Sequence, residues 1–180
     1  MSPARALLSS GPMAKTTRSK RSEALPLTHL DAKGQARMVD VGGKDVTARK
    51  AVARARVRMA KATSDRLASG DTPKGDVLAT ARIAAIQAAK RTSELIPLCH
   101  AIALTKVTVE IALARGEALV TATAEARDRT GVEMEALVAA STAALTLYDM
   151  LKAIDRGITF EVGLLAKEGG KTGTWTAEAP

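Results

Sequence analysis

A chain of 180 residues, 46% hydrophobic and 26% charged, has the length and mix of one globular domain, which argues against disorder throughout. No run approaches the ~18 uninterrupted apolar residues of a membrane-spanning helix. A single cysteine, Cys99, excludes an internal disulfide framework and any zinc site built on several thiolates, and only Phe160, Tyr148 and Trp175 are aromatic, too few to stack nucleic-acid bases.

The net charge of +8 suggests an anionic partner until its distribution is read. Arg5, Lys15, Arg18, Lys20 and Arg21 against Glu23 place +4 of it in residues 1–24, a Ser- and Pro-containing leader without hydrophobic periodicity. Ala6-Leu7-Leu8 is its longest apolar run, short of the ~7–15 residues of a secretory core. A disordered extension is the preferred reading, on the general behaviour of termini. An organelle transit peptide, or an over-long start with Met13 as initiator, also fits. The lone cysteine agrees with a reducing, cytoplasmic setting.

A single domain is expected over residues 25–173. Ala36 to Val41 reads as a short strand before a Gly42-Gly43 turn. From Ala51 to Met59 alternation is strict: Ala53, Ala55, Val57 and Met59 face one way and Arg54, Arg56 and Arg58 the other. That is a half-buried strand with a solvated cationic face. A short helix around Ser64–Ala68 stops at Gly70. Asp76 is a good N-cap for a helix from Val77 to about Ser93, and Pro97 bars its continuation past Ile96.

Leu104 to Leu113 alternates again, Arg115-Gly116-Glu117 makes a turn, and Ala118–Arg127 returns as a hairpin arm. Thr130-Gly131-Val132-Glu133 has the form of a capping box, opening a helix that is expected to run to about Arg156 and stop at Gly157. Ile158, Phe160, Val162 and Leu164 form the last strand, Gly169-Gly170 breaks it, and 174–180 read as a loose tail. Strands of alternating polarity with long helices predict an α+β fold, a two-layer plait whose antiparallel sheet is covered by helices.

Five segments can carry chemistry. Lys74-Gly75-Asp76 precedes a helix, where free N–H groups and the dipole attract phosphate, although a plain cap and turn would look the same. Pro97-Leu98-Cys99-His100 lies in a loop. Neighbours in an extended segment point apart, so Cys99 and His100 are not expected to pair, and Cys99 by itself reads as a small buried hydrophobe. Glu133-Met134-Glu135 opens the long helix, where acids complement the dipole in any case. Asp149 and Lys152, three apart, share a helix face on which the carboxylate can orient the ammonium. The stretch Leu165 to Gly173 looks phosphate-cradling but lacks P-loop spacing.

Together these strings resemble the cyclic pyranopterin monophosphate synthase family of molybdenum cofactor biosynthesis. The resemblance runs from Leu27-Thr28-His29 to about Gly173. It rests on Met38-Val39-Asp40-Val41, Lys74-Gly75-Asp76-Val77 with Ala79-Thr80-Ala81-Arg82-Ile83, and Ile86 to Thr92. It continues through Leu95-Ile96-Pro97-Leu98-Cys99-His100, Thr130 to Leu137, Tyr148-Asp149-Met150 with Lys152-Ala153, and Leu164 to Lys167 with Gly169-Gly170-Lys171. Residues before Leu25 and after Gly173 take no part in it.

The resemblance implies a ferredoxin-like plait and a lyase that converts a cyclised dihydro-GTP to cyclic pyranopterin monophosphate with loss of pyrophosphate. It implies a homo-oligomer, a hexamer built as a trimer of dimers, with active sites between subunits. By position it makes Asp149, Lys152 and Lys74 catalytic. It assigns Leu98, Cys99, His100, Met134, Glu135, Glu133, Arg49 and Lys167 to substrate binding. No metal site and no resident cofactor are implied, Mg²⁺ accompanying the triphosphate being left open, and neither nucleic acid nor membrane is a partner.

The set makes physical sense. Lys74, Lys167 and Arg49 can neutralise a triphosphate, Glu133 and Glu135 can accept from a guanine-type N–H edge, and a lysine of lowered pKa can move protons. Asp149 can orient Lys152 or transfer protons itself. A non-catalytic nucleotide-binding module is the competing reading; retention of Asp149, Lys152 and Lys74 together speaks against it. Glu135 and Asp149 are 14 positions apart, so on one helix they share a face yet stand about 21 Å apart along the axis. Either they serve opposite ends of an extended triphosphate, or a pocket draws them from different subunits; the second agrees with the intersubunit sites that the resemblance implies, and composite sites in an obligate homo-oligomer are expected.

Overall fold

The computed structural model describes residues 33–178, so the leader and Leu27-Thr28-His29 lie outside the described residues. Five strands form one antiparallel sheet in the order β2-β3-β1-β4-β5: β1 (Thr47–Arg58), β2 (Leu104–Ala114), β3 (Glu117–Asp128), β4 (Thr159–Glu168) and β5 (Trp175–Thr176). Helices α1 (Lys61–Ser69), α2 (Val77–Ala89), α3 (Thr92–Leu95) and α4 (Glu133–Leu151) complete the α+β plait anticipated from polarity patterns.

The period-two segments become strands because alternate residues need burial. Ala53, Ala55 and Val57 are fully buried, and Ala118, Val120, Ala122 and Ala124 of β3 lie opposite on the same face. Arg54, Arg56 and Arg58 emerge on the other face, where Arg58 meets Glu161 at 2.8 Å and Arg56 lies 3.7 Å from Glu117. Arg56 and Arg58 thus form cross-strand ion pairs. The helices contribute mostly alanine to the core: Ala81 and Ala85 from α2, Ala136, Ala139, Ala140, Ala143 and Ala144 from α4. Small side chains on both layers let helix and sheet backbones approach closely.

Several boundaries depart from expectation. Ala36–Val41 makes only an isolated bridge at Ala36, not a strand, although the Gly42-Gly43 turn forms. The helix from Val77 ends at Ala89 because Arg91 N–H bonds Ala88 O and the buried Thr92 hydroxyl takes Ala89 O at 3.0 Å; four further residues then form α3. The capping box does not form. Val132 is the N-cap of α4 with no side-chain cap, and the Glu133 carboxylate folds back over Gly131.

At its far end α4 stops at Leu151, five residues before Arg156. The turn that follows carries Asp155 to α1, where it accepts from Ala60 N–H (2.8 Å) and the Thr63 hydroxyl (3.1 Å) while also holding Gly157 N–H (2.9 Å). A carboxylate from elsewhere in the chain thus caps a helix whose own N-cap, Ala60, has no side chain to do so. Past Gly173, where a loose tail is expected, β5 pairs with Ala166 and Lys167 of β4.

One irregularity bears on function. Ala53 pairs with Leu164 but Val52 pairs with Ala166, so Leu165 is the extra residue of a β-bulge. The bulge resets the alternation and puts Lys167 opposite buried Ala51, on the helix-covered face. α4 is long and apolar enough in composition to cross a membrane, yet it packs against α2, β1 and β3 as a core helix.

Candidate active site

The residues singled out from sequence gather at the two ends of α4. At its first turn, Glu133, Met134 and Glu135 join Leu98, Cys99 and His100 around a cavity of about 300 Å³, closed further by Val39, Val41 and Lys44. Cys99 and His100 both line this cavity. Cys99 N–H bonds Ile96 O at 3.1 Å, so the loop turns there. His100 Nε2 lies 2.9 Å from the Val39 carbonyl. A carbonyl only accepts, so Nε2 carries a proton in this contact.

Glu135 is the chemically unusual member: 3% exposed, it is the one carboxylate buried among the described residues. Burial pushes its pKa up to about 6, with the charges of Glu133 and Asp128 adding to the rise and a backbone hydrogen bond opposing it. Burial, with Glu135 beside it, likewise raises the Cys99 thiol, so Cys99 is held as a thiol rather than a thiolate nucleophile.

Lys44 also lines an adjoining cavity of about 450 Å³ with Gly43, Asp45, Thr47, Arg49, Arg129, Gly170 and Lys171. Four cations against one acid make it an anion seat. The Thr47 hydroxyl is buried with no partner, a group that a ligand oxygen would satisfy. Arg49 is fixed by donating from Nε to Asp128 O (3.1 Å) and from its guanidinium to Arg129 O (3.2 Å), which ties the start of β1 to the end of β3. Lys167 donates to the Thr172 hydroxyl beside Lys171, placed there by the bulge in β4. Lys44 and Arg129 were missed by sequence reasoning, whereas Lys171 lay within the stretch Leu165 to Gly173 that looked phosphate-cradling; for Lys44 the Gly42-Gly43 turn was the only signal, and isolated turns are common.

At the other end of α4 stand Lys74, Asp149 and Lys152. Lys74 Nζ donates to Asp149 Oδ2 (2.8 Å) and to the Asp149 carbonyl (3.0 Å), while Lys152 Nζ meets Oδ1 at 2.6 Å. Lys74 reaches this position from the Thr72–Gly75 turn, in which Gly75 takes a positive φ of 79° that a β-carbon would resist. The two ammonium groups, Lys152 foremost, hold the Asp149 carboxyl down to about 2, and Asp149 in turn raises Lys152. The lowered lysine pKa expected from neighbouring cations is therefore not found at Lys152, because the shared carboxylate outweighs them.

The triad lines neither cavity. Lys74, Asp149 and Lys152 are each about half exposed, and Asp149 stands about 21 Å from Glu135 along the axis of α4. No cluster of three or more His, Cys, Asp or Glu suited to a metal occurs among the described residues.

A family model described as the MoaC family matches residues 38–170. A relative from Novosphingobium aromaticivorans, a cyclic pyranopterin monophosphate synthase, is 57% identical over 152 residues, which cover 84% of this chain and 97% of the relative.

Proposed function

The chain belongs to the MoaC family, and from that membership we propose how its residues divide the work of a cyclic pyranopterin monophosphate synthase. The activity is that of a lyase in molybdenum cofactor biosynthesis. It converts (8S)-3',8-cyclo-7,8-dihydroguanosine 5'-triphosphate to cyclic pyranopterin monophosphate and releases pyrophosphate.

In our reading the guanine-derived ring enters the cavity at the start of α4. Glu133 and Glu135 accept from its N–H edge, and His100, held against the Val39 carbonyl through Nε2, lines the same cavity. The triphosphate lies in the adjoining basic cavity, reached past Lys44. There Arg49, Arg129 and Lys171, with Lys167 beside them, neutralise its charge and stabilise departing pyrophosphate. Ring opening and reclosure need several proton transfers, which Lys74, Asp149 and Lys152 supply. With its pKa raised, Lys152 is the donor of the set and Asp149 the group that holds it, until a substrate oxygen or nitrogen displaces one contact. No resident cofactor enters this scheme; Mg²⁺ would arrive only with the triphosphate.

One observation carries the reading: a single helix bears the cavity acids on its first turn and the triad on its last. Groups about 21 Å apart cannot both reach the reacting ring of one small molecule. The active site is therefore composite, and the protein works as a homo-oligomer, a hexamer assembled as a trimer of dimers, in the cytoplasm.

The test mixes inactive Glu135→Ala and Asp149→Asn chains after mild dissociation. Composite sites restore part of the pyrophosphate release and the fluorescent pterin formed on oxidation of the product. An inactive mixture with proven subunit exchange, or an active monomer, refutes the arrangement.

A further inference from the structure

Lys44 is the one residue common to the walls of the ring cavity and the anion seat. It is also the one lysine or arginine on the wall of the ring cavity, which otherwise contributes the acids Glu133 and Glu135. The turn that bears it is tied down along its length. His100 Nε2 donates to the Val39 carbonyl (2.9 Å), and the Asp40 carboxylate accepts from Gly42 N–H (2.8 Å). Lys44 N–H bonds the Val41 carbonyl (3.0 Å), and Arg129 Nε donates to the Lys44 carbonyl (3.0 Å). None of these contacts uses the Lys44 ammonium.

The neighbouring cations are committed differently. Arg49 donates to the carbonyls of Asp128 and Arg129, Lys167 donates to Thr172, and Lys74 and Lys152 share Asp149. The exposed Lys44 ammonium makes no ion pair or hydrogen bond among the described residues. Its backbone is thus oriented before any ligand arrives, and no protein contact has to break for the charge to reach one.

A substrate with its ring in one cavity and its leaving phosphates in the other crosses the boundary between them. The group that lies at that boundary is the phosphoryl nearest the sugar. We propose that Lys44 is a catalytic residue of the phosphate-closing step, holding this phosphoryl group, which the product keeps, while Arg49, Arg129 and Lys171 hold the two that leave. The proposal rests on the placement of ring and triphosphate given above and adds a division of labour among the phosphoryl groups. In the step, a hydroxyl oxygen of the sugar-derived skeleton forms a bond to the first phosphorus. The bond from that phosphorus to the bridging oxygen breaks, and the oxygen departs with the electron pair as pyrophosphate, which also takes the hydroxyl proton. Charge spreads over the non-bridging oxygens of the transferred phosphoryl as this happens, and an ammonium beside them stabilises it.

Full-length Lys44→Met, Lys44→Arg and Lys171→Met chains test the division. Guanosine 5'-monophosphate carries a ring and the first phosphoryl alone, and inorganic pyrophosphate carries the leaving pair alone; calorimetry reads the affinity of each. Lys44→Met should weaken the monophosphate at least about fivefold and leave pyrophosphate within about twofold, and Lys171→Met should do the reverse. In turnover, Lys44→Met should lower kcat about 10²–10³-fold, with Lys44→Arg recovering part of the loss because the charge is kept. Circular dichroism and Tm of both Lys44 variants should match wild type, since the fold uses only the backbone of this residue. A Lys44→Met enzyme with wild-type kcat overturns the proposal, as does one whose KM rises while kcat holds, which marks uniform binding. If Lys171→Met still weakens pyrophosphate in that event, the anion seat stands and only the role of Lys44 is wrong. If wild type binds neither probe, the assignment of the two cavities is itself wrong and the role of Lys44 falls with it.

Discussion

Replacing Asp155 by alanine tests the contact that joins the active-site turn to the rest of the fold. The carboxylate accepts from Ala60 N–H, the Thr63 hydroxyl and Gly157 N–H at 2.8, 3.1 and 2.9 Å. Loss of a helix-capping acceptor costs about 1 kcal/mol. Thr63 is 4% exposed, so its hydroxyl would be stranded in the interior, for roughly another 1–3 kcal/mol. A total near 3 kcal/mol translates into a thermal midpoint lowered by about 6–12 °C for a domain of this size.

Asp155→Ala also frees the turn that carries Lys152, so turnover should fall while the loss of Tm is read by circular dichroism. The effect has a pH signature. The Ala60 hydrogen bond, with those of Gly157 and Thr63, lowers the Asp155 pKa below its ordinary 3.8. A depressed carboxyl contributes stability above that ordinary value and loses it as pH falls through the folded one. The gap between wild type and Asp155→Ala should therefore be full at pH 6 and close under strong acid. A midpoint within about 1 °C of wild type at pH 6 would refute the capping role.

Glu135 behaves in the opposite sense. Its raised pKa means that the folded chain favours the protonated form below 4.5 and loses that stability as pH climbs to about 6. Glu135→Gln should gain about 2 kcal/mol of unfolding free energy at pH 8 and none at pH 4, measured by urea titration. Lys74→Ala should abolish pyrophosphate release and move Tm by only a few degrees, since its ion pair is exposed and surface pairs contribute little to stability; a large drop would make the residue structural. Asp149→Asn should bind the cyclised triphosphate with near-wild-type affinity in calorimetry while turnover falls about 10²–10⁴-fold. Undiminished turnover would remove Asp149 from the proton-transfer set.

The sequence alone determined the layers and singled out segments that the fold gathers at the two ends of α4. Strict alternation in β1, β2 and β3 could be satisfied only by strands buried on one face, and the Asp76 cap and Gly70 stop fixed local geometry that three or four neighbouring residues decide. The pairing of Asp149 with Lys152 was likewise legible, because residues three apart on a helix must meet. Contacts between distant segments were not. The capping box failed although its residues are ideal, since Glu133 was drawn over Gly131 into the cavity wall.

The end of α4 was misplaced because Asp155, 95 residues from Ala60, is held by α1 rather than by its own helix. Lys167 faces the helix layer only through a bulge whose extra residue, Leu165, looks like any other apolar strand residue. The anion seat needed Lys44, Arg129 and Lys171 from three separate turns. Local sequence sets which conformations a segment prefers, and it did so here. Which segments end up neighbours depends on burying one alanine-lined core, and that is settled only when the whole chain packs.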